Sequence, residues 1–320
     1  MWLKLRLYLV MTLLFGIIYG LLVIVAGIFN MGGTFYIYAI LASVMMFIQY
    51  MIGPKIVEWS MGVKYMTEAQ APALHKMVTE LARDAKIPKP RICIAATKLP
   101  NAFAFGRWAS DGRVCVTEGI MNLLNEKELR AVLAHEISHL KNRDVVVITM
   151  ISVIPMICWY LAWSFMFSGG RDRGNQVIIG IAAMVIYFIS NLLVLYVSRI
   201  REYYADEGSV KLGNPPHYLA SALYKLVYGS ARFPKDALKK VEGMKAFFVS
   251  DPSRASYEIK ELSQLDLDRS GTIDQNELMA LRSRPIKVSG TDKFMEMFST
   301  HPNMLKRIQR LSSLKEGAVR

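Results

Sequence analysis

The run Asn125-Glu-Lys-Glu128-Leu-Arg-Ala-Val-Leu-Ala-His135-Glu136-Ile-Ser-His139-Leu-Lys-Asn-Arg-Asp144 leads directly into Val145 to Phe167, a stretch without one Asp, Glu, Lys or Arg. Its first part reads as a helix. Asn125 can cap it, Glu126 and Glu128 sit in the first turn where the macrodipole favours acids, and no Pro or Gly interrupts it. His135 and His139 are one turn apart, so both imidazoles can reach one tetrahedral Zn2+. Glu136 is rotated by about 100° from His135, close enough to touch a metal-bound water without ligating the metal. Ala131, Val132, Leu133, Ala134 and Ile137 surround the motif and mark the helix as mostly buried. Two buried histidines and a carboxylate are costly without a partner, which calls for a cation among them.

The second part reads as a membrane span, and it is one of four. Leu7 to Phe29, Thr34 to Pro54, Val145 to Phe167 and Val177 to Ser198 all lack charged residues. Each is about 20 residues or longer, enough for a helix to cross a hydrocarbon core of roughly 30 Å. The composition agrees: of 320 residues 53% are hydrophobic and only 20% charged, with mean hydropathy +0.26, a balance that a single soluble domain does not reach. The first span is too long for a signal-peptide core and the second follows after only Asn30 to Gly33, so it is read as an uncleaved anchor. The expected fold is an α-helical integral membrane protein with four transmembrane helices. One hairpin occupies residues 1–57 and the other 144–198, while residues 58–143 and 199–320 build one mainly α catalytic domain with a small β-sheet.

Two spans separate the hydrophilic blocks, which places both on one side of the membrane. Lys4, Arg6, Lys55, Lys64, Lys141, Arg143, Arg199 and Arg201 flank that side, against Arg171 and Arg173 on the other. The positive-inside rule makes it the cytoplasm, with both termini there and the chain multi-pass in the cell membrane. The formal charge of +13 is then a cytoplasmic surface charge against anionic lipid headgroups. No RNA-binding signature or long basic run occurs, which argues against a nucleic-acid partner. Cys93, Cys115 and Cys158 have no metal-ligand spacing and fit a reducing compartment. Ahead of the helix, Arg91 to Ala95, Ala102 to Arg107 and Arg113 to Thr117 read as strands, the last two a hairpin around Ser110-Asp111-Gly112.

A catalytic zinc needs a third protein ligand and one open position. No third His follows His139 at a metzincin spacing, and the best candidate is Glu202 in Ser198-Arg-Ile-Arg-Glu202-Tyr-Tyr-Ala-Asp206. His139 and Glu202 each lie only about one turn from an adjacent span end, hence at the same depth. Asp206, one turn after Glu202, is placed to hydrogen-bond a ligating imidazole. In the resulting scheme the metal lowers the pKa of its water towards about 7, and Glu136 takes up the proton and passes it to the leaving amine. His75 and His217 receive no role.

His135-Glu136-Ile-Ser-His139, the later Glu202-Tyr-Tyr-Ala-Asp206 and four spans placed two before and two between them resemble the HtpX class of membrane-integrated zinc metalloproteases. The resemblance covers most of the chain. It implies a zincin-type endopeptidase of the gluzincin kind, related to the CaaX prenyl-protein proteases and active in membrane-protein quality control. It also implies roles for two further segments. Asn101-Ala102-Phe103-Ala104 is similar to the edge strand on which such enzymes lay an extended peptide. His301-Pro302, with Arg307 after it, is similar to the C-terminal motif whose His and Arg lie near the catalytic site, where His301 would stabilise the oxyanion.

One segment departs from that pattern. Asp266-Leu-Asp268-Arg-Ser270-Gly271-Thr272-Ile273-Asp274-Gln-Asn-Glu277 has the register of an EF-hand calcium loop. Oxygen ligands fall at positions 1, 3, 5, 9 and 12, Thr272 offers its carbonyl at 7 and Gly271 makes the turn. With flanking helices at Arg254 to Leu265 and Asn276 to Arg282, the EF-hand-like segment spans residues 254–284. Calcium ordering this segment, which lies between Glu202 and His301, would tune proteolysis. The expected partners are protein substrates, chiefly membrane proteins, and the lipid bilayer. A CaaX-type processing protease and a non-enzymatic calcium-responsive membrane adaptor are the competing classes.

Overall fold

The computed structural model describes residues 47–48, 50–167, 173–233, 249, 255–282 and 290–314. The first expected span and most of the second lie outside these residues. The chain divides into two compact units, Met1–Gly53 with Val146–Ile200, and Pro54–Val145 with Arg201–Arg320.

The second unit contains a four-stranded mixed sheet in the order β1-β2-β4-β3, built from Val63–Tyr65 (β1), Arg91–Ala95 (β2), Ala102–Phe105 (β3) and Arg113–Thr117 (β4). The β-branched run of β4 is buried along its whole length, as expected for a strand with neighbours on both edges. It pairs in parallel with β2, Cys93 opposite Cys115, and antiparallel with β3, Phe103 opposite Cys115. β3 ends at Phe105, two residues short of the expected strand, because the chain turns at Gly106, where φ is +150° and a Cβ would stand 2.5 Å from the Asp111 carbonyl oxygen. The short β1 carries only three residues, too few for an alternating pattern to mark it as a strand.

Around the sheet lie α1 (Pro72–Ala85), α2 (Glu118–Leu123) and α3 (Glu126–Lys141). Helix α3 starts where the sequence places it, with Asn125 and Glu128 forming a reciprocal capping box that contributes about 1 kcal/mol. It ends at Lys141, and α4 (Asp144–Phe167) begins as a new helix after Arg143, whose φ is +55°. The expectation that the His-bearing helix continues into the third span is therefore corrected: a left-handed residue breaks it.

Helix α5 behaves differently, running from Arg173 to Lys211 without interruption. Its first part belongs to the unit of α4, where Ile151, Ile154, Val194 and Val197 form one apolar cluster. Both helices are long and apolar enough to cross a membrane, over Asp144–Trp163 and Gln176–Lys211. In the other unit, α6 (Pro216–Ala231) packs through Leu219, Leu223 and Leu226 into the main core with α3. Ser221 Oγ and Lys225 Nζ reach the buried Glu128 at 2.6 and 2.9 Å, so the capping carboxylate also locks α6 to α3. The remaining elements are α7 (Ala255–Leu262), α8 (Gln275–Ala280), α9 (Gly290–Glu296) and α10 (Met304–Ser312).

Candidate active site

Helix α5 crosses α3 at contact distance because two small residues permit it. A Cβ on Gly208 would stand 2.3 Å from Ser138 Oγ, and Ser209 Oγ donates to the Ala131 carbonyl at 2.7 Å. This crossing carries Glu202 over the two histidines. His135 Nε2 and His139 Nε2 are 3.1 Å apart, and the Glu202 oxygens stand 3.5 Å from each, Oε2 from His135 and Oε1 from His139.

Ligand atoms around a tetrahedral zinc with bonds of about 2.0–2.1 Å are separated by roughly 3.3 Å. The three donors face one another at that spacing; one proton can bridge the two Nε2 atoms, but the buried Glu202 Oε2 makes no hydrogen bond. The donor set therefore fits a zinc ion. His135 and Glu136 are 1% and 5% exposed, so water does not solvate these charges.

Each imidazole has a carboxylate behind it. Asp206 Oδ1 lies 3.0 Å from His135 Nδ1, close enough to pair although not aligned for a hydrogen bond. Arg307 grips the same carboxylate with two bonds, Nη2 to Oδ1 at 2.6 Å and Nε to Oδ2 at 3.0 Å. It also reaches Glu202 Oε2 at 3.1 Å and the Val249 carbonyl at 2.8 Å, and it is wholly buried. His139 Nδ1 is hydrogen-bonded to Asp144 Oδ2 at 2.6 Å, and Arg201 pairs with Asp144 Oδ1. Sequence reasoning missed Asp144, Arg201 and Gly208. The only signal for Asp144 was its place five residues after His139, which on a continuous helix points it to another face.

These charges set the protonation of the site. Burial would lower His135, but the Asp206 and Glu202 carboxylates outweigh it and raise its pKa to about 9. His139 is lowered, mainly by burial. Burial raises Glu136, with the two histidines pulling the other way. For Glu202 the upward push of burial is overcome by Arg307 and then His301, which hold it well below the usual carboxylate range.

The other expected residues are also placed. His301 Nε2 lies 3.9 Å from Glu202 Oε1, and its Nδ1 is 3.0 Å from Thr300 Oγ1. Strand β3 is at the sheet edge, with the Ala104 backbone hydrogen-bonded to Glu136. Ala102 and Phe103 are buried, and Asn101 is fixed by Thr117 Oγ1 on its own N–H and by the Val249 N–H on its Oδ1. His75 Nε2 bonds the Met66 carbonyl at 3.0 Å.

The acidic loop gathers Asp266, Asp268 and Glu277 within metal-holding reach, yet backbone amides engage these carboxylates. Asp266 accepts from Ser270 and Gly271 at 2.9 Å each and from the Tyr224 hydroxyl at 3.0 Å, and Glu277 Oε1 accepts from Leu267 at 2.6 Å. Asp274 caps α8, accepting from the Glu277 N–H at 2.7 Å. Ser270 Oγ is 2.9 Å from Thr272 Oγ1. The flanking helices, Ala255–Leu262 and Gln275–Ala280, end before the expected Leu265 and Arg282.

Residues 68–315 match peptidase family M48. The chain is 59% identical over 225 residues to a protease HtpX homolog of Methanothermobacter thermautotrophicus, covering 70% of this chain and 86% of that protein. It is 35% identical over 314 residues to a protease HtpX homolog of Pyrococcus furiosus, covering 96% and 94%. In fold it resembles the crystal structure of S. mikatae Ste24p, with a TM-score of 0.50, 18% identity and coverage of 92% of this chain and 62% of that one. The family match over most of the chain, joined to a His-His-Glu donor set and two apolar helices, identifies a membrane-bound zinc metalloprotease: the chain belongs to peptidase family M48.

Proposed function

We propose that His135, His139 and Glu202 hold one catalytic zinc, that Glu136 is the general base, and that the enzyme cleaves misfolded or damaged membrane proteins at the cytoplasmic face. The observation that carries this reading is the convergence of three donors at tetrahedral spacing beside one further buried carboxylate that does not join them. Zinc supplies Lewis-acid polarisation of the scissile carbonyl and a more acidic water. Glu136, raised by burial, accepts a proton from the attacking water and delivers it to the leaving amine. His301, with Nε2 3.9 Å from Glu202 Oε1, donates towards the oxyanion, while Arg307 and Asp206 orient Glu202 and His135. The sheet edge at Asn101 to Ala104 offers backbone groups to an extended substrate, with Ala104 adjacent to the base.

Four spans with both termini in the cytoplasm are supported by the charge-free runs and the basic flanks. The twelve-residue loop takes one Ca2+ through Asp266, Asp268, Ser270, Thr272, Asp274 and Glu277, on the strength of its ligand register. The test is cleavage of an unfolded protein substrate by purified enzyme in detergent. Glu136→Ala should keep its zinc and lose cleavage; hydrolysis persisting in that variant would overturn the assignment.

A further inference from the structure

The two ligating imidazoles have matching surroundings, of which only one half was legible as a motif. Behind His135 stands Asp206, held by Arg307. Behind His139 stands Asp144, held by Arg201, and the His139 bond is the straighter of the two. Arg201 Nη2 also donates to the Asn142 carbonyl at 2.9 Å, bracing the break between α3 and α4.

That break makes the contact possible. In an unbroken helix a residue five positions on is rotated by about 140° and cannot meet its predecessor. The left-handed Arg143 folds the chain so that Asp144, 7% exposed, turns back onto the Nδ1 of His139. A carboxylate accepting from Nδ1–H fixes the tautomer whose Nε2 lone pair is available, orients the ring and raises its basicity. The Nε2 so released is the atom that faces His135 Nε2 and Glu202.

We infer that Asp144 is a positioning residue for the metal ligand His139, and that Arg201 acts on the metal through Asp144. The inference rests on the zinc reading proposed above. Its consequence is that the residue opening the α4 membrane-span helix also sets the quality of the metal site. A competing explanation is that Asp144 serves only its own helix, as an acid in the first turn of α4.

Metal affinity separates the two. Purified full-length protein is stripped of metal, and zinc affinity is measured by chelator competition for the parent, Asp144→Ala, Asp144→Asn and Arg201→Gln. The visible spectrum of the cobalt-loaded forms and the melting of the metal-free forms are recorded alongside. Asp144→Ala should weaken zinc by roughly 10- to 100-fold and shift the cobalt bands. Asp144→Asn keeps an acceptor oxygen at nearly constant shape, so its loss should be smaller and its metal-free melting close to parent. Arg201→Gln should weaken zinc in the parent background and add nothing in the Asp144→Ala background.

Unchanged zinc affinity and cobalt spectrum in Asp144→Ala would overturn the inference, as would a drop in metal-free melting alone, which marks a helix-start role. If Asp144→Ala does not fold, Asp144→Asn decides alone: parent affinity in that variant sinks the idea. An equal loss from Arg201→Gln in both backgrounds refutes the Arg201 step. Failure of the parent itself to bind zinc would instead refute the underlying assignment.

Discussion

Among the described residues the protein holds two clusters of potential metal ligands, and they differ in what they do without a metal. At the His135, His139 and Glu202 cluster the donor atoms face one another, and one Glu202 oxygen has no hydrogen bond. At the Asp266, Asp268 and Glu277 loop the carboxylates already accept from backbone amides. The first geometry gathers ligand atoms that make fewer hydrogen bonds than they could, a shortfall that a cation among them would offset. The second is a self-consistent turn that a cation would tighten. Placement follows the same division: His135, His139 and Glu202 sit on long helices, whereas Asp266 and Asp268 sit on a turn with Gly271 at φ +79°.

The sharpest way to break the contrast is Glu202→Ala. It removes the ligand that bridges the two histidines and leaves only two donors, so proteolysis should fall to background and zinc should be lost on dialysis against a mild chelator. Zinc retained at one equivalent would show that the third ligand lies elsewhere. Arg307→Met should rank next. It leaves Asp206 and Glu202 buried without their countercharge, a loss of about 3–5 kcal/mol in the metal-free protein. Zinc supplies compensating charge, so the loss should shrink in the loaded form. Melting with and without zinc checks this, and equal losses would refute a charge-balancing role for Arg307.

These effects also indicate how much of the site was legible beforehand. The helix start, the strands at 91–95 and 113–117, and the pairing of His135 with His139 followed from periodicity, capping and ligand spacing, and Glu202 from its place one turn beyond a charge-free run. Asp144 did not, because its contact depends on a single left-handed residue, Arg143, that no local propensity marks. Gly208 was equally silent. Its role is to let Ser138 approach, a tertiary fact between residues seventy apart in the chain. Arg307 became visible only through family likeness, since nothing in its own helix pattern distinguishes a buried arginine from a surface one.

A smaller effect comes from protons. In the metal-free protein His135 has its pKa raised to about 9 by Asp206 and Glu202 against the pull of burial. Zinc must displace that proton, so below about pH 9 apparent zinc affinity should fall by about tenfold, or 1.4 kcal/mol, for each unit of acidification. The sign is fixed: protonation of His135 competes with the metal, and affinity rises with pH until His135 is neutral. Competition titrations at pH 6, 7 and 8 suffice. A flat series would mean that His135 is neutral without metal and that the carboxylates around it do not hold a proton there.

The smallest effect tests the loop side of the comparison. Asp274 caps α8 while Glu277 returns the bond to the Asp274 N–H at 3.0 Å, so the loop closes by a reciprocal box that needs no ion. Asp274→Ala should cost about 1 kcal/mol in calcium-free protein, the usual worth of such a cap. Asp274→Asn retains a capping oxygen and should cost far less. If Asp274 also contributes to a cation site, both variants weaken calcium binding, because both remove the charge, whereas only the alanine variant weakens the calcium-free fold. Calorimetric titration with calcium, paired with melting in a calcium chelator, separates the two contributions. Full stability of Asp274→Ala without calcium would show that the box is not what holds the loop, and the contrast with the zinc cluster would then have to rest on the amides around Asp266 alone.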